Sequence, residues 1–278
     1  MSSTPSYYVH GTHPEEQRRL SLLNDILNRG SLRELDLRGG ERVLDLGCGL
    51  GQLTHGMATA AGAKGHVLGI DRSAEQLAHA RQITLAIESA SIEFREGDVL
   101  ALELGPDEWG SFDVAHTRFV LEHLPEPLHV VRAMARAVRV GGRVVLEDED
   151  HDILRLWPEP AGVLRMWRAY VESYVKRGND PYIGRKLNAL LHEAGLEPKR
   201  SAPIWFGCSA GESIFPTWID NFHGVMVGAR DEVLTSGALD AATYDAALAE
   251  LRDWGTRPDA AAWYFMAYAE GVKVAARP

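Results

Sequence analysis

Short apolar runs alternate with stretches of helical periodicity between residues 40 and 150. The apolar runs predict β-strands at residues 43–46, 66–71, 91–95, 112–116 and 143–147. Capped amphipathic stretches predict helices at residues 73–88 and 127–139. Strands that alternate with helices at this spacing imply a mostly parallel sheet that helices cover on both faces. We therefore predict an α/β fold for this part of the chain.

The alternation loosens on either side of this region. Apolar periodicity predicts helices at residues 12–28, with Gly30 as the stop, and at 161–176 and 184–194, with two or three more between 211 and 255. Residues 202–206 and 263–274 predict two further strands, which make the sheet seven-stranded.

This order of elements predicts three regions. They are an N-terminal arm and helix at residues 1–39, a core at 40–150, and a remainder at 151–278. The remainder carries helical insertions at about 151–183 and 209–258. Because insertions that follow strands emerge at the carboxyl edge of the sheet, we expect them to lie over that edge, where parallel sheets bind their ligands.

Three alternating glycines follow the first predicted strand. Gly47, Gly49 and Gly51 permit positive φ and lack the Cβ atoms that would keep a ligand from the backbone. Asp71 follows the second strand and Asp98 the third, so both carboxylates are expected at the same edge of the sheet. There they can accept hydrogen bonds from a ribose diol and an adenine amino group. The loop lacks the sixth-position glycine of the dinucleotide fingerprint, so no pyrophosphate site is indicated.

These motifs resemble those of the class I S-adenosylmethionine-dependent methyltransferases over about residues 40–150. The glycine motif stands at residues 45–51, the ribose-binding acid at Asp71, and the adenine position at Asp98-Val99. Residues 112–124 are similar to the fourth-strand motif of the branch that methylates small molecules. The resemblance implies a Rossmann-like fold with S-adenosyl-L-methionine as the cofactor.

The resemblance also implies a set of cofactor-binding residues in this chain. In similar proteins the residues just after the fourth strand, here Thr117 and Arg118, lie beside the methionine part of the cofactor. The complete predicted set is Gly47, Gly49, Gly51, Asp71, Arg72, Asp98, Val99, Thr117 and Arg118.

Methyl transfer from a sulfonium is an in-line displacement, so the enzyme has mainly to align the acceptor with the leaving sulfur. A hydroxyl acceptor gains from a general base, whereas an amine has only to arrive unprotonated. The predicted catalytic candidates are His116 at the end of the fourth strand, Phe119 as an aromatic wall, and Glu149 as an acid that holds a cationic amine. Tyr8, in the N-terminal arm, is predicted to close over the sulfonium, which an aromatic face attracts.

Two neighbouring features have simpler explanations. His123 fits a structural role better than a catalytic one. The acidic run at residues 147–150 is explained equally well by a solvated loop. We predict no metal site, because an Asp/Glu/His cluster within five consecutive residues cannot easily surround a cation without help from elsewhere in the chain.

Charge and composition limit which classes of partner we expect this protein to bind. The 29 Lys and Arg against 39 Asp and Glu leave a formal charge of −10 in the 278 residues, which argues against a nucleic-acid partner. No secretory pattern and no membrane-spanning apolar run is evident, and the two cysteines form no disulfide framework. We therefore expect a cytoplasmic protein with no membrane partner, and a homo-oligomer stays open.

The sequence thus predicts a methyltransferase that modifies an amine or hydroxyl of a small molecule, such as a secondary metabolite. Three alternatives stay open. An NAD-linked oxidoreductase is disfavoured by the glycine spacing. A catalytically silent S-adenosylmethionine-binding protein and an enzyme that methylates a protein side chain are the other two.

Overall fold

A computed structural model describes residues 14–84 and 91–275 of the protein. The helices are α1 (Pro14–Leu35), α2 (Gln52–Ala61), α3 (Ala74–Thr84), α4 (Pro127–Ala137), α5 (Ala161–Lys176), α6 (Leu187–Glu193), α7 (Phe215–Thr235) and α8 (Ala241–Trp254). The strands are β1 (Arg42–Leu46), β2 (His66–Asp71), β3 (Ser91–Glu96), β4 (Phe112–Arg118), β5 (Val138–Asp148), β6 (Arg155–Trp157), β7 (Glu197–Trp205), β8 (Cys208–Ser209), β9 (Ala261–Trp263) and β10 (Phe265–Val272). None of the described helices is both long and apolar enough to cross a membrane.

Seven strands form one sheet in the order β3-β2-β1-β4-β5-β10-β7. The five strands from β3 to β5 are parallel to one another. The last two are not, because β10 runs antiparallel to both β5 and β7. The predicted mostly parallel, seven-stranded α/β sheet is therefore confirmed.

The central strands form the core because most of their positions are buried and include short apolar runs. One hydrophobic cluster contains Leu44, Leu46 and Leu68 of the strands together with Val130 and Met134 of α4. Each of these five residues is less than 2% exposed. A sheet covered by helices produces such continuous apolar runs instead of alternating ones. The carboxyl ends of β1, β2, β4 and β5 are thereby held in fixed positions along one edge.

The chain divides into two compact units. One contains the seven-stranded sheet and comprises Leu27–Asp152, Asn179–Trp205 and the chain from Phe265 onward. The other comprises Ile153–Gly178, Phe206–Tyr264 and α1 up to Ile26.

The second unit contains α5, α7, α8 and a small antiparallel sheet in the order β6-β9-β8. Its interior is aromatic: the Trp167 ring lies 5.5 Å from that of Phe222, and the buried Tyr244 hydroxyl donates to the Met226 carbonyl at 2.6 Å. The sequence pattern predicts its helices but not its sheet, because strands of two or three residues are too short to show a period.

Helix α1 continues past Gly30, where the sequence predicts its end. Gly30 lies inside the helix, and a Cβ atom built on it would be 2.5 Å from Cγ2 of Ile204 on β7. The glycine therefore serves close packing of α1 against the sheet instead of helix termination. The prediction was wrong at this residue because a stop signal is local, whereas the need for space comes from Ile204.

We expect Gly30→Ala to lower the free energy of unfolding by about 1 kcal/mol or more. The overpacking cost is about 1–3 kcal/mol, which exceeds the gain of about 0.5–1 kcal/mol from replacing a helical glycine. Chemical denaturation in an Ile204→Ala background is the control, since that change makes room for the methyl group. Equal destabilisation in both backgrounds would contradict the packing explanation.

Candidate functional site

The glycine loop after β1 has the left-handed backbone that the sequence predicts. Gly47, Gly49 and Gly51 have φ values of 73°, 54° and 73°. The amides of Gly47 and Cys48 both donate to the carbonyl of Ile70 at the end of β2, at 2.8 and 3.1 Å. The loop is therefore anchored to the neighbouring strand, and its glycines are required by backbone conformation whether or not a ligand is bound.

Space around the loop gives a second reason for glycine. A Cβ atom on Gly47 would clash with Cγ2 of Val120, and one on Gly51 would be 2.8 Å from both Ala80 and Phe94. The loop thus lies tightly between the turn after β4 and the segments α3 and β3. Such close approach keeps its backbone N–H groups in fixed positions at the start of α2.

Asp71 connects the glycine loop to helix α3. One carboxylate oxygen accepts from the Gly49 amide at 2.9 Å, and the other accepts from the Ser73 amide at 2.8 Å. A carboxylate has about four acceptor sites, so these two bonds leave capacity for a ribose diol. Arg72, the next residue, is exposed. Asp71 therefore combines a structural role with the geometry that the ribose prediction needs.

Asp98 follows β3 and caps a short 3-10 helix, Val99–Ala101. It is exposed, and its Oδ1 accepts from the Leu100 amide at 2.9 Å. Val99 beside it is half-buried. Capping accounts for one oxygen of Asp98 and leaves acceptor capacity on the carboxylate, as at Asp71.

The end of β4 is bound to both β1 and α1. The buried Thr117 hydroxyl donates to the Leu46 carbonyl at 2.9 Å, which links the ends of the two central strands. The Arg118 guanidinium donates to the Asn28 side chain at 2.8 Å and to the Ser31 hydroxyl at 3.2 Å. Helix α1 is thus fastened to the edge of the sheet beside the glycine loop.

Phe119 has an unusual backbone conformation directly after β4. Its φ is 55°, in the left-handed region that non-glycine residues seldom adopt. Its amide donates to the Glu147 carbonyl at 3.1 Å, and its ring lies 5.4 Å from the Arg118 guanidinium. Such a conformation costs about 1–3 kcal/mol and occurs preferentially at functional sites. It occurs at the residue that the sequence predicts to be an aromatic wall.

His116 lies inside the sheet and not at an open strand end. Its side chain is buried, with Nδ1 2.8 Å from Asp45 and Nε2 3.7 Å from Glu147. Burial disfavours the imidazolium, but the hydrogen bond to Asp45 and the charges of the two carboxylates outweigh it and raise the pKa of His116 to about 9. The prediction that His116 faces the acceptor is corrected, because its side chain is buried between Asp45 and Glu147.

The acidic run after β5 is largely buried, so it is not a solvated loop. Asp148 is buried and accepts from the Leu121 amide at 2.9 Å, and burial raises its pKa to about 7. Asp150 forms a two-pronged ion pair with Arg185, at 2.5 and 2.7 Å. Glu149 is partly exposed, and its Oε2 lies 3.7 Å from Nε2 of the buried His151. Glu149 thus presents the most accessible carboxylate of this run.

Glu122 joins this acidic group, and sequence reasoning missed it. It lies in the 3-10 helix Leu121–His123 that follows β4 and is buried. Burial and the charges of Asp148, Glu149 and Asp180 raise its pKa well above the usual value. Nothing in the sequence indicates that Glu122 is buried beside this group. Glu122 precedes the exposed His123 in a motif that relatives with different substrates share. Tyr8, the predicted lid residue, lies outside the described residues.

Comparison with known proteins identifies relatives along most of the chain. A family model described as a methyltransferase domain matches residues 37–189. An uncharacterized 37.1 kDa protein in transposon TN4556 of Streptomyces fradiae is 36% identical over 173 residues, which is 62% of this chain and 48% of that protein. The chain therefore spans about half the length of that relative.

Two functionally named proteins are similar over greater lengths. A demethylmenaquinone methyltransferase of Bacillus cereus is 25% identical over 230 residues, covering 76% of this chain and 96% of that enzyme. The solved structure of a geranyl diphosphate methyltransferase in complex with S-adenosylmethionine has a TM-score of 0.53 at 17% identity. That likeness covers 95% of this chain and 92% of the other, and at this identity it demonstrates a shared fold.

We expect Asp71→Ala to weaken S-adenosylmethionine binding by about 1.5–3 kcal/mol, the range for hydrogen bonds to a charged group. Titration calorimetry measures this, with Glu75→Ala in the exposed first turn of α3 as the matched control. Asp98→Ala should act in the same direction but less strongly, since one amino contact replaces two hydroxyl contacts. Unchanged affinity in both aspartate variants would contradict the assignment of the strand ends.

We expect the stability of the protein to fall as the pH rises through about 9. The folded pKa of His116 is raised to about 9 from its ordinary value of 6.5, so its contribution to stability is complete below about pH 6.5 and is lost as the imidazolium deprotonates. The loss can reach about 3 kcal/mol. Denaturation at several pH values should show this slope in the wild type and in His129→Gln, an exposed control, but not in His116→Gln. The same slope in all three proteins would refute the assignment.

Proposed function

The chain belongs to the methyltransferase-domain family, in the S-adenosylmethionine-dependent class I, and from this premise we propose that it methylates an amine or hydroxyl of a small molecule. S-adenosyl-L-methionine is the cofactor of this class. A secondary metabolite is the acceptor class that we propose. The named relatives support a small-molecule acceptor, since one is a demethylmenaquinone methyltransferase and another a geranyl diphosphate methyltransferase.

The observation that carries the proposal is the left-handed glycine loop held by Asp71 at the edge of a parallel sheet. The loop leads into the first turn of α2, whose N–H groups have no partner within the helix, and Asp71 keeps acceptor capacity for the ribose. The residues that we propose to contact the cofactor are Gly47, Gly49, Gly51, Asp71, Arg72, Asp98, Val99, Thr117 and Arg118. The buried Thr117 hydroxyl is already bonded to Leu46, so its proposed contribution is through the backbone.

Methyl transfer depends more on aligning the acceptor atom with the methyl carbon and the leaving sulfur than on activating the acceptor chemically. Transfer forms a bond from the acceptor nitrogen or oxygen to the methyl carbon, breaks the bond from that carbon to sulfur, and releases S-adenosylhomocysteine and a proton. We propose that Phe119, fixed by its backbone contact with Glu147, forms one wall beside the sulfonium, and that Tyr8 forms a second. Glu149 has the exposure needed to hold a cationic amine or to accept a proton from a hydroxyl.

The alternatives differ in what they bind and release. An NAD-linked oxidoreductase requires a dinucleotide site, which neither the glycine spacing nor the family supports. A silent S-adenosylmethionine-binding protein would bind the cofactor and never turn it over. The charge of −10 supports a partner other than nucleic acid.

We expect the purified protein to bind S-adenosylmethionine and not NADH in titration calorimetry. We also expect it to release S-adenosylhomocysteine only when a suitable amine or hydroxyl compound is added, as measured by mass spectrometry against a panel of both classes. Asp71→Ala should lose affinity for the cofactor, whereas Glu149→Gln should retain affinity and lose turnover.

Binding of NADH alone would overturn the proposal. Cofactor binding without release of S-adenosylhomocysteine for any member of the panel would favour the silent binding protein. Turnover with thiol or carbon acceptors only would replace the proposed acceptor class and leave methyl transfer in place.

A further inference from the structure

We propose that Glu122, Glu149 and His151 form a binding site for a divalent transition-metal cation beyond the carboxyl ends of β4 and β5. Glu122 comes from the 3-10 helix after β4, Glu149 directly follows β5, and His151 begins the next 3-10 helix, His151–Ile153. One ligand atom from each residue lies within 4.8 Å of the other two. The sequence argued against a metal because consecutive residues cannot surround a cation, and Glu122 supplies the missing ligand from another strand.

The position of Glu122 points to an occupant. Its side chain is 5% exposed, and within the described part of the chain its Oε2 accepts no hydrogen bond. This oxygen lies 4.0 Å from Nδ1 of His151, so it is directed into the cluster. A buried carboxylate oxygen without a partner carries a large desolvation cost, which either a proton or a cation must offset.

The surrounding charges make a cation the better match. The buried Asp148 carboxylate accepts from the amides of Leu121 and Glu149, the residues next to and within the cluster. The basic side chains nearby are directed to other acids, with Arg185 on Asp150 and Lys186 on Asp180. Several carboxylates thus lie close together around Glu122 with their neighbouring cations engaged elsewhere.

The donor set indicates which metals would bind. A histidine ligates a metal as its neutral imidazole, and the His151 ring is buried among the two proposed carboxylate ligands. Two carboxylates with one imidazole suit Mn²⁺, Fe²⁺, Co²⁺ or Zn²⁺, whereas Mg²⁺ and Ca²⁺ prefer oxygen ligands throughout.

Three protein ligands leave coordination positions for water or for an oxygen of the acceptor. Binding of an acceptor oxygen rests on the proposed function, whereas binding of the cation does not. His123 lies beside the group, with its Nε2 3.3 Å from Oε1 of Glu122. Its side chain is 43% exposed, so this side of the group is next to solvent.

The test measures cation binding directly and needs no turnover. The full-length protein is stripped with a chelator and titrated with Mn²⁺, followed by electron paramagnetic resonance, and with Zn²⁺, followed by calorimetry. We expect one equivalent of either cation to bind, and Mg²⁺ to bind more weakly. Glu122→Gln, Glu149→Gln and His151→Gln should each weaken binding at least tenfold. Glu126→Gln, an exposed acid on the same connection, is the matched control and should bind as the wild type does.

Thermal unfolding shows whether each variant is folded, so that loss of binding is not confused with misfolding. Bound cation should raise the Tm of the wild type and of Glu126→Gln but not that of Glu149→Gln, whose partly exposed side chain is the least disruptive to replace. Failure of the wild type to bind any of these cations at millimolar concentration would overturn the site, and so would binding that all three variants retain. Cofactor affinity measured on the same samples separates this outcome from failure of the proposed function.

Discussion

The buried pairing of His116 with Asp45 and Glu147 joins the three central strands, and much of the structure depends on it. Asp45 belongs to β1, His116 to β4 and Glu147 to β5. Asp45 also accepts from the Thr54 hydroxyl of α2 at 2.6 Å, and Glu147 accepts from the Ser31 hydroxyl of α1 at 2.5 Å. A cation shared by two buried carboxylates is costly to break, since removing it leaves uncompensated charges in the core. The network therefore fixes both neighbouring helices to the strands from which the candidate site is built.

The glycine loop depends on this arrangement. Its shape requires β2 at one side, through Ile70 and Asp71, and the turn after β4 at the other, through Val120. The left-handed Phe119 starts that turn, and its amide is held by Glu147, which also takes part in the buried network. Strain at Phe119 is thus supported by the backbone carbonyl of a residue whose side chain belongs to the buried network. Such over-determined geometry is how a fold keeps a site preorganised.

At the ends of β4 and β5, the protein brings together acidic side chains that are poorly solvated. The raised pKa of Asp148, about 7, and the raised pKa of Glu122 express the same cost of burial. Groups whose pKa values are displaced in this way cluster preferentially at functional sites. A methyl acceptor with a positive charge, a proton or a metal cation would each relieve this cost, and the geometry of His151 favours the last of these.

Local features of the sequence determined the sheet and the glycine loop. Apolar runs located the seven strands of the main sheet, and alternating glycines predicted the positive φ values, because both signals depend on neighbouring residues alone. The strand-end acids Asp71 and Asp98 followed from the rule that ligands bind at the carboxyl ends of parallel strands, and the resemblance supplied the family and its cofactor.

Only the tertiary structure decided which polar groups are buried and which of them meet. It enclosed His116 between two acids, placed Gly30 against Ile204, and brought Glu122 to Glu149 and His151. Each of these contacts joins residues from different strands or helices. Periodicity along the chain carries no information about such distances, because burial and close approach are set by how the elements pack and not by the order in which they occur.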